Sequence, residues 1–320
     1  MAQSFVSNVA SNYIMTKTLI SIVGPTAIGK TTLSIQLANH FNTEIISADS
    51  RQFYQEMQIG TATPTRSELD DAPHHFIKHI SVDHDYNVGA FERDAITLLD
   101  ELYKKHDVVI MVGGSGLYIN AVNNGLDELP KVNQDIRDQL NERFQKDGLE
   151  GLQFQLKELD PKAYDTIAID NPQRLIRALE VSLSSGQPYT SFLTAENKKR
   201  DFETITVGLT ADREIIYNRI NSRVDLMMEA GLLSEVQELL PKKNLNALRT
   251  VGYKELFNVL DEQWTLEFAI SEIKKNSRRF AKRQLTWFKK NKETIWFDYK
   301  TDLEVIKNSI SKKINTLNKN

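Results

Sequence analysis

Residues Gly24-Pro25-Thr26-Ala27-Ile28-Gly29-Lys30-Thr31 have the spacing GxxxxGK[ST], which suits the holding of phosphate. Glycines let the backbone turn tightly enough for successive N–H groups to converge on phosphate oxygens. A helix opening at the lysine aims the positive end of its dipole at the same point. Lys30 adds a charge, and Thr31 places a hydroxyl where a phosphate-bound Mg²⁺ takes an oxygen ligand. The alternative is a glycine turn with no ligand, and the flanking sequence disfavours it. Leu19-Ile20-Ser21-Ile22-Val23 enters as a buried strand should, and Leu33, Leu37 and Ala38 lie on one face of a following helix. The cradle alone does not name its phosphate compound.

A second strand, Glu44 to Ser47, delivers Asp49-Ser50-Arg51-Gln52 to the edge that carries the cradle. A carboxylate there can take a proton beside bound phosphates, and the place where the strand leaves Asp49 favours that role over the blander one of a helix cap at Asp49 or Ser50. The third strand, Asp107 to Val112, runs into Gly113-Gly114-Ser115-Gly116, where many nucleoside-triphosphate hydrolases place an acid that holds Mg²⁺. Its lack disfavours an ATP-driven motor and leaves a group transferase. Arg219 and Arg223 stand one helical turn apart and could grip a phosphate together, or could be solvated surface. His74, His75, His79 and His84 share no regular helical spacing and read as loop or core histidines rather than a metal site.

The elements that must position these groups alternate. Strands at Thr18 to Val23, Glu44 to Ser47, Asp107 to Val112 and Thr204 to Leu209 are separated by helical patterns such as Ala90 to Lys105. The expected fold is α/β: a P-loop NTPase-like parallel sheet with helices on both faces and ligands at the carboxyl ends of its strands. The rhythm breaks after Leu129-Pro130. Ile136 to Phe144, Leu149 to Leu159 and the stretch after Asn171-Pro172 are helical without strands between them. The expected domains are a flexible extension over 1–16, a core from 17–129 and 202–320, and a helical insertion over 130–201. Beyond the fourth strand come helices near Arg213 to Glu229, Leu233 to Leu240 and Leu266 to Lys290, then a short apolar Ile295-Trp296-Phe297.

The 320 residues are 40% hydrophobic and 26% charged, with no cysteine. Disulfides, thiolate zinc sites and cysteine nucleophiles are excluded, and a reducing cytoplasm is compatible. No run approaches the roughly 18 to 20 apolar residues of a membrane span, and the first stretch lacks the core of an export signal; Met15 offers a later start. Net charge is −3. Nine basic residues nevertheless fall between Lys274 and Lys292 with no acid among them, interleaved with Phe280, Trp287 and Phe288, which suits a polyanion contact better than plain surface.

Six strings resemble the bacterial tRNA dimethylallyltransferases: the cradle itself, Ile46 to Gln52, Val112-Gly113-Gly114-Ser115-Gly116-Leu117-Tyr118, Asn171 to Glu180, Arg249-Thr250-Val251-Gly252-Tyr253-Lys254-Glu255 and Ala281 to Phe288. They run in order from about Lys17 to Phe297; each is weak alone, and together they are specific. The resemblance implies transfer of a five-carbon group from dimethylallyl diphosphate to N6 of adenosine 37, beside the anticodon, with Mg²⁺ on Thr31 as cofactor. Asp49 would take the amine's proton, while the cradle and Arg223, with Arg219 close by, would hold the diphosphate. The tRNA would meet Asp49, Ser50, Arg51, Gln52, Ser115, Arg137, Gln173, Arg174, Leu175, Ile176, Arg177, Arg249, Thr250, Val251, Gly252, Tyr253 and Lys254, with the insertion clasping the anticodon stem. Such an enzyme is expected to be a cytoplasmic monomer acting on an anticodon loop with adenosines at 36 to 38. The family often has threonine at Ser115; serine keeps the hydroxyl.

Three other readings compete. A small-molecule kinase also presents an acid after its second strand but rarely carries so basic a C-terminal helix. A prenyltransferase for free adenine nucleotides would need neither that helix nor the insertion. A non-enzymatic RNA-binding module would not need Lys30, Thr31 and Asp49.

Overall fold

The computed structural model describes residues 16–194 and 198–319. The expected flexible extension therefore lies, but for Thr16, outside the described residues. Six strands form one parallel sheet: β1 (Thr18–Val23), β2 (Ile45–Ser47), β3 (His74–His75), β4 (Val108–Val112), β5 (Glu203–Thr210) and β6 (Ile295–Asp298), in the order β3-β2-β4-β1-β5-β6. Ile295-Trp296-Phe297, unassigned above, is the edge strand beside β5; Trp296 stacks against Gly208, where an added Cβ would lie 2.5 Å from its ring.

Side chains alternate across a strand, so a sheet covered on both faces feeds two cores. Leu19, Val23, Ile46, Val109 and Met111 join one; Ile20, Ile22, Ile45, Ile110 and Val112 join the other. The first is covered by α3 (Val88–Leu102), α10 (Leu232–Glu238), α11 (Tyr253–Leu260) and much of α12 (Leu266–Phe288). The second is covered by α1 (Lys30–Phe41), the start of α9 (Arg213–Glu229) and α13 (Leu303–Leu317), whose Ile306, Ile310 and Ile314 recur one turn apart. Short α2 (Arg66–Asp71) and α4 (Gly116–Asn124) follow β2 and β4.

The strand ends crowd together. A Cβ on Gly113, after β4, would lie 2.4 Å from the Ala48 carbonyl oxygen, and one on Gly24, after β1, 2.6 Å from that of Leu209. Both approaches are too close for any side chain, so the loops after β1, β2, β4 and β5 meet at one edge.

The chain divides into two compact units, one comprising Met1–Asn123 with Arg200–Asn320 and the other Asn124–Lys199. The chain leaves the first at the end of α4 rather than at Pro130. The second unit holds α5 (Gln134–Asp147), α6 (Glu150–Leu159), α7 (Pro161–Thr166) and α8 (Pro172–Ser185) around Leu140, Leu152, Leu156, Leu175 and Leu179. Asn171 caps α8 by accepting from the Gln173 and Arg174 N–H groups, and Pro172 occupies the first turn, where no N–H is needed. Among the described residues no helix is long and apolar enough to cross a membrane.

Candidate active site

The loop between β1 and α1 is wound tightly. Ala27 has φ 63° and Gly29 φ 108°, and Arg219 on α9 holds Ala27 in place by donating from Nε to its carbonyl at 2.7 Å. A non-glycine residue in the left-handed region costs about 1–3 kcal/mol, retained where the surroundings impose it. Lys30 Nζ donates to the Pro25 carbonyl at 2.8 Å. Burial lowers the Lys30 pKa to about 8; Asp49 opposes that shift and Arg223 adds to it. Arg223 Nη1 lies 3.3 Å from the Thr26 hydroxyl, and burial pulls its guanidinium below the ordinary arginine value against the attraction of Asp49.

Two cavities open here. One, about 460 Å³, is lined by Thr26, Ala27, Ile28, Gly29, Lys30 and Thr31, with Gln52, Arg219, Arg223, Glu68 and His74 among the rest of its wall. The other, about 690 Å³, is lined by Ser50, Arg51 and Ser115 on one side and by Arg249, Thr250, Val251, Gly252 and Lys254 on the other, with Leu117, Tyr118 and Trp287 adding apolar surface. Thr26, Asp49, Thr61, Arg223, Phe280 and Gln284 border both. Asp49 thus faces the phosphate loop and the second cavity at once.

Local bonds fix that carboxylate. Asp49 Oδ1 accepts from the Arg51 N–H at 3.1 Å. Ser115 Oγ accepts from the Ser50 N–H and donates to the Ser50 hydroxyl, both at 3.0 Å, so serine supplies the bonds this position makes. Arg51 reaches the Asn246 and Ala247 carbonyls at 3.2 and 2.8 Å, and Gln52 donates to those of Thr61 and Ala62. Gly252 N–H donates to the buried Glu255, which also accepts from Asn276 on α12.

Arg137, Gln173, Arg174 and Arg177 belong to the second unit. There the fully buried Glu180 accepts from Arg177 at 2.6 Å and faces Arg137 at 3.4 Å, setting both guanidinium groups at the surface. Three residues expected to meet RNA cannot present their side chains. Leu175 and Ile176 sit in this unit's core, on the inward stripe of α8, and Tyr253 is fully buried with its hydroxyl donated to Glu235 at 2.6 Å. The basic stretch on α12 also divides. Lys274 pairs with Asp225, Lys275 with Glu272, and Arg278 bonds Asn221 and stacks on Tyr217; Arg279, Lys282, Lys289 and Lys290 are exposed, and Arg283 is exposed over the Phe280 ring.

Gln284, Thr61, His74 and Phe280 also line the first cavity, although the sequence assigns Gln284 and Thr61 no role, marks His74 only as a loop or core histidine and Phe280 only as an aromatic of the basic stretch. Gln284 carried a signal: a polar residue on the buried stripe of α12 formed by Ala281 and Phe288. His74 lies on the two-residue β3, too short to announce itself, and donates from Nδ1 to the Ala72 carbonyl at 2.8 Å. His75 meets Glu44, and His79 packs on Phe53 and Phe76. Among the described residues no group of three or more His, Asp or Glu side chains could hold a metal ion.

A strand–loop–helix phosphate cradle facing a carboxylate, with glycines rather than a metal-holding acid after β4, defines a P-loop transferase. Residues 52–291 match the family model for IPP transferase, and the chain belongs to that family. It is 58% identical over 302 residues to a tRNA dimethylallyltransferase of Christiangramia forsetii, covering 94% of this chain and 100% of the relative. A tRNA dimethylallyltransferase of Flavobacterium psychrophilum is 54% identical, with 92% and 98% covered. The solved tRNA isopentenylpyrophosphate transferase of Bacillus halodurans superposes with a TM-score of 0.70 at 38% identity over 94% of this chain and 97% of that one. A eukaryotic dimethylallyltransferase solved acting on tRNA gives 0.77 at 26% identity, over 90% and 75%.

Proposed function

We propose that the chain transfers a dimethylallyl group from dimethylallyl diphosphate to N6 of adenosine 37 in tRNA. The observation that supports this most directly is the shared wall: Asp49 borders both the phosphate loop's cavity and the one lined by Ser115 and Arg249 to Lys254. The diphosphate lies in the first, held by the loop's N–H groups, Lys30 and Arg223; Arg219, spent on the Ala27 carbonyl, shapes the loop. The target adenosine, turned out of its stack, enters the second. As N6 bonds to C1 of the allyl group, the C1–oxygen bond breaks, diphosphate leaves with the electron pair, and Asp49 accepts the proton N6 sheds. Charge accumulates on the leaving oxygens, where fixed donors and Lys30 stabilise it.

The donor set suits Mg²⁺, which keeps several waters and takes few protein oxygens. The Thr31 hydroxyl would hold it against the diphosphate, where the ion would neutralise leaving-group charge. Arg137, Gln173, Arg174 and Arg177 of the second unit, with the exposed arginines and lysines of α12, contact the RNA backbone. The reading carries with it a cytoplasmic monomer and an anticodon loop with adenosines at 36 to 38. Incubation with labelled dimethylallyl diphosphate, Mg²⁺ and such a stem-loop should place label in the RNA. Label in free AMP and none in RNA would instead make this a nucleotide prenyltransferase.

A further inference from the structure

Gln284 is 6% exposed and points its amide into the wall between the two cavities. Its Oε1 accepts from the Thr26 N–H at 2.9 Å, and its Nε2 donates to the Gly114 carbonyl at 3.0 Å. One amide thus bonds the loop after β1 to the loop after β4. The fit is close: a Cβ on Gly114 would lie 2.4 Å from Nε2 and 3.8 Å from Asp49 Oδ2. Ser115, next in sequence, is bonded twice to Ser50, and Ser50 adjoins Asp49. A continuous path therefore runs from Thr26 in the phosphate loop through Gln284, Gly114, Ser115 and Ser50 to Asp49.

We propose that Gln284 is a positioning residue that sets the span between the phosphate loop and the Asp49–Ser115 side of the site. This rests on the transfer reading above and adds a residue to it. In-line transfer needs C1, held through its diphosphate, at bonding range of an amine whose proton Asp49 receives, and a misplacement near 1 Å can cost about a hundredfold in rate. Only a side chain carrying an acceptor and a donor on one planar group can make both bonds. Methionine makes neither. An ionised glutamate keeps the Thr26 bond but sets an oxygen against the Gly114 carbonyl; a protonated glutamate regains the donor.

The test uses the full chain with Gln284→Met and Gln284→Glu. Single-turnover transfer to the stem-loop is followed from pH 5.5 to 8.5, alongside Kd for inorganic diphosphate and for the stem-loop. Gln284→Met should lose roughly 10- to 100-fold in transfer rate, with both Kd values within about threefold of the parent. Gln284→Glu should be equally slow at pH 8 and recover at least about fivefold, relative to the parent, as pH falls toward 6 and the buried carboxyl protonates. Because that recovery is read within one sample, a loss of folding in the methionine variant leaves the test intact. Parent-like rates in either variant at pH 8, or slow transfer in Gln284→Glu without recovery in acid, overturn the positioning role. Failure of the parent itself to label RNA overturns the transfer reading and takes this inference with it.

Discussion

The two cavities that meet at Asp49 are built by different means. The cavity at the phosphate loop takes most of one wall from a single run, Thr26 to Thr31, whose backbone winding and helix dipole would do the binding on the proposed reading. The larger cavity is assembled from side chains that arrive from Ser50, Ser115, Arg249 to Lys254 and α12, spread over most of the chain. A contiguous run can hold a small, highly charged group whose shape never varies. An RNA base and its neighbours, the proposed occupants, would need surface from many elements; internal bonds such as Ser115 to Ser50 and Gly252 to Glu255 hold those elements in register.

The largest effect should come at the point the cavities share. Asp49→Ala removes the proposed proton acceptor and is expected to lower single-turnover transfer by about 10²–10⁴-fold, while leaving affinity for diphosphate and stem-loop within a few-fold. A parallel loss of RNA binding would mean that Asp49 mainly braces the Arg51 loop. Next in size is a change confined to the phosphate side. Lys30 has a pKa lowered by burial to about 8, so its positive charge is present below that pH and lost as pH rises through it. Diphosphate affinity should therefore fall between pH 7.5 and 9, and binding at pH 9 should take up nearly one proton, measured by calorimetry in buffers of different ionisation enthalpy. The sign for stability is opposite. The unfolded lysine keeps its proton to about 10.5, so the cost of burying that charge is full below pH 8 and is relieved as pH climbs toward 10.5. Lys30→Met should melt higher than the parent at pH 7, with the gap closing by pH 10. Proton uptake unchanged in Lys30→Met would assign it to another group.

The same contrast explains what the sequence alone makes legible. The phosphate loop, β1 and the helix Arg213 to Glu229 were legible because each rests on local spacing: an apolar strand, glycines at fixed offsets, a helical period. Asp49 was legible because it follows a strand whose end must lie at the ligand edge. β3 was not, since two residues beside Ile45 and Ile46 carry no pattern of their own. Nor was the burial of Leu175, Ile176 and Tyr253: a motif marks a segment, whereas which of its side chains turn inward is settled by packing. Gln284 shows the limit best. Its place on the apolar stripe of α12 flags a buried polar group, but its partners lie 258 and 170 residues away and only the fold brings them together.

The smallest expected effect lies on the RNA side and separates basic residues that look alike in sequence. Arg279 and Arg283 on α12 are exposed, whereas Lys274 is held by Asp225 at 2.6 Å. A phosphate contact contributes through release of counterions, so each one lost should reduce the slope of log K against log salt by about 0.7–0.9. Arg279→Glu with Arg283→Glu should weaken stem-loop binding and flatten that slope by one to two such steps, with diphosphate affinity unchanged. Lys274→Gln should move the slope little, because that lysine is already paired. If instead Lys274→Gln flattens the slope as much as the double reversal, the charge of α12 acts on RNA as a diffuse field.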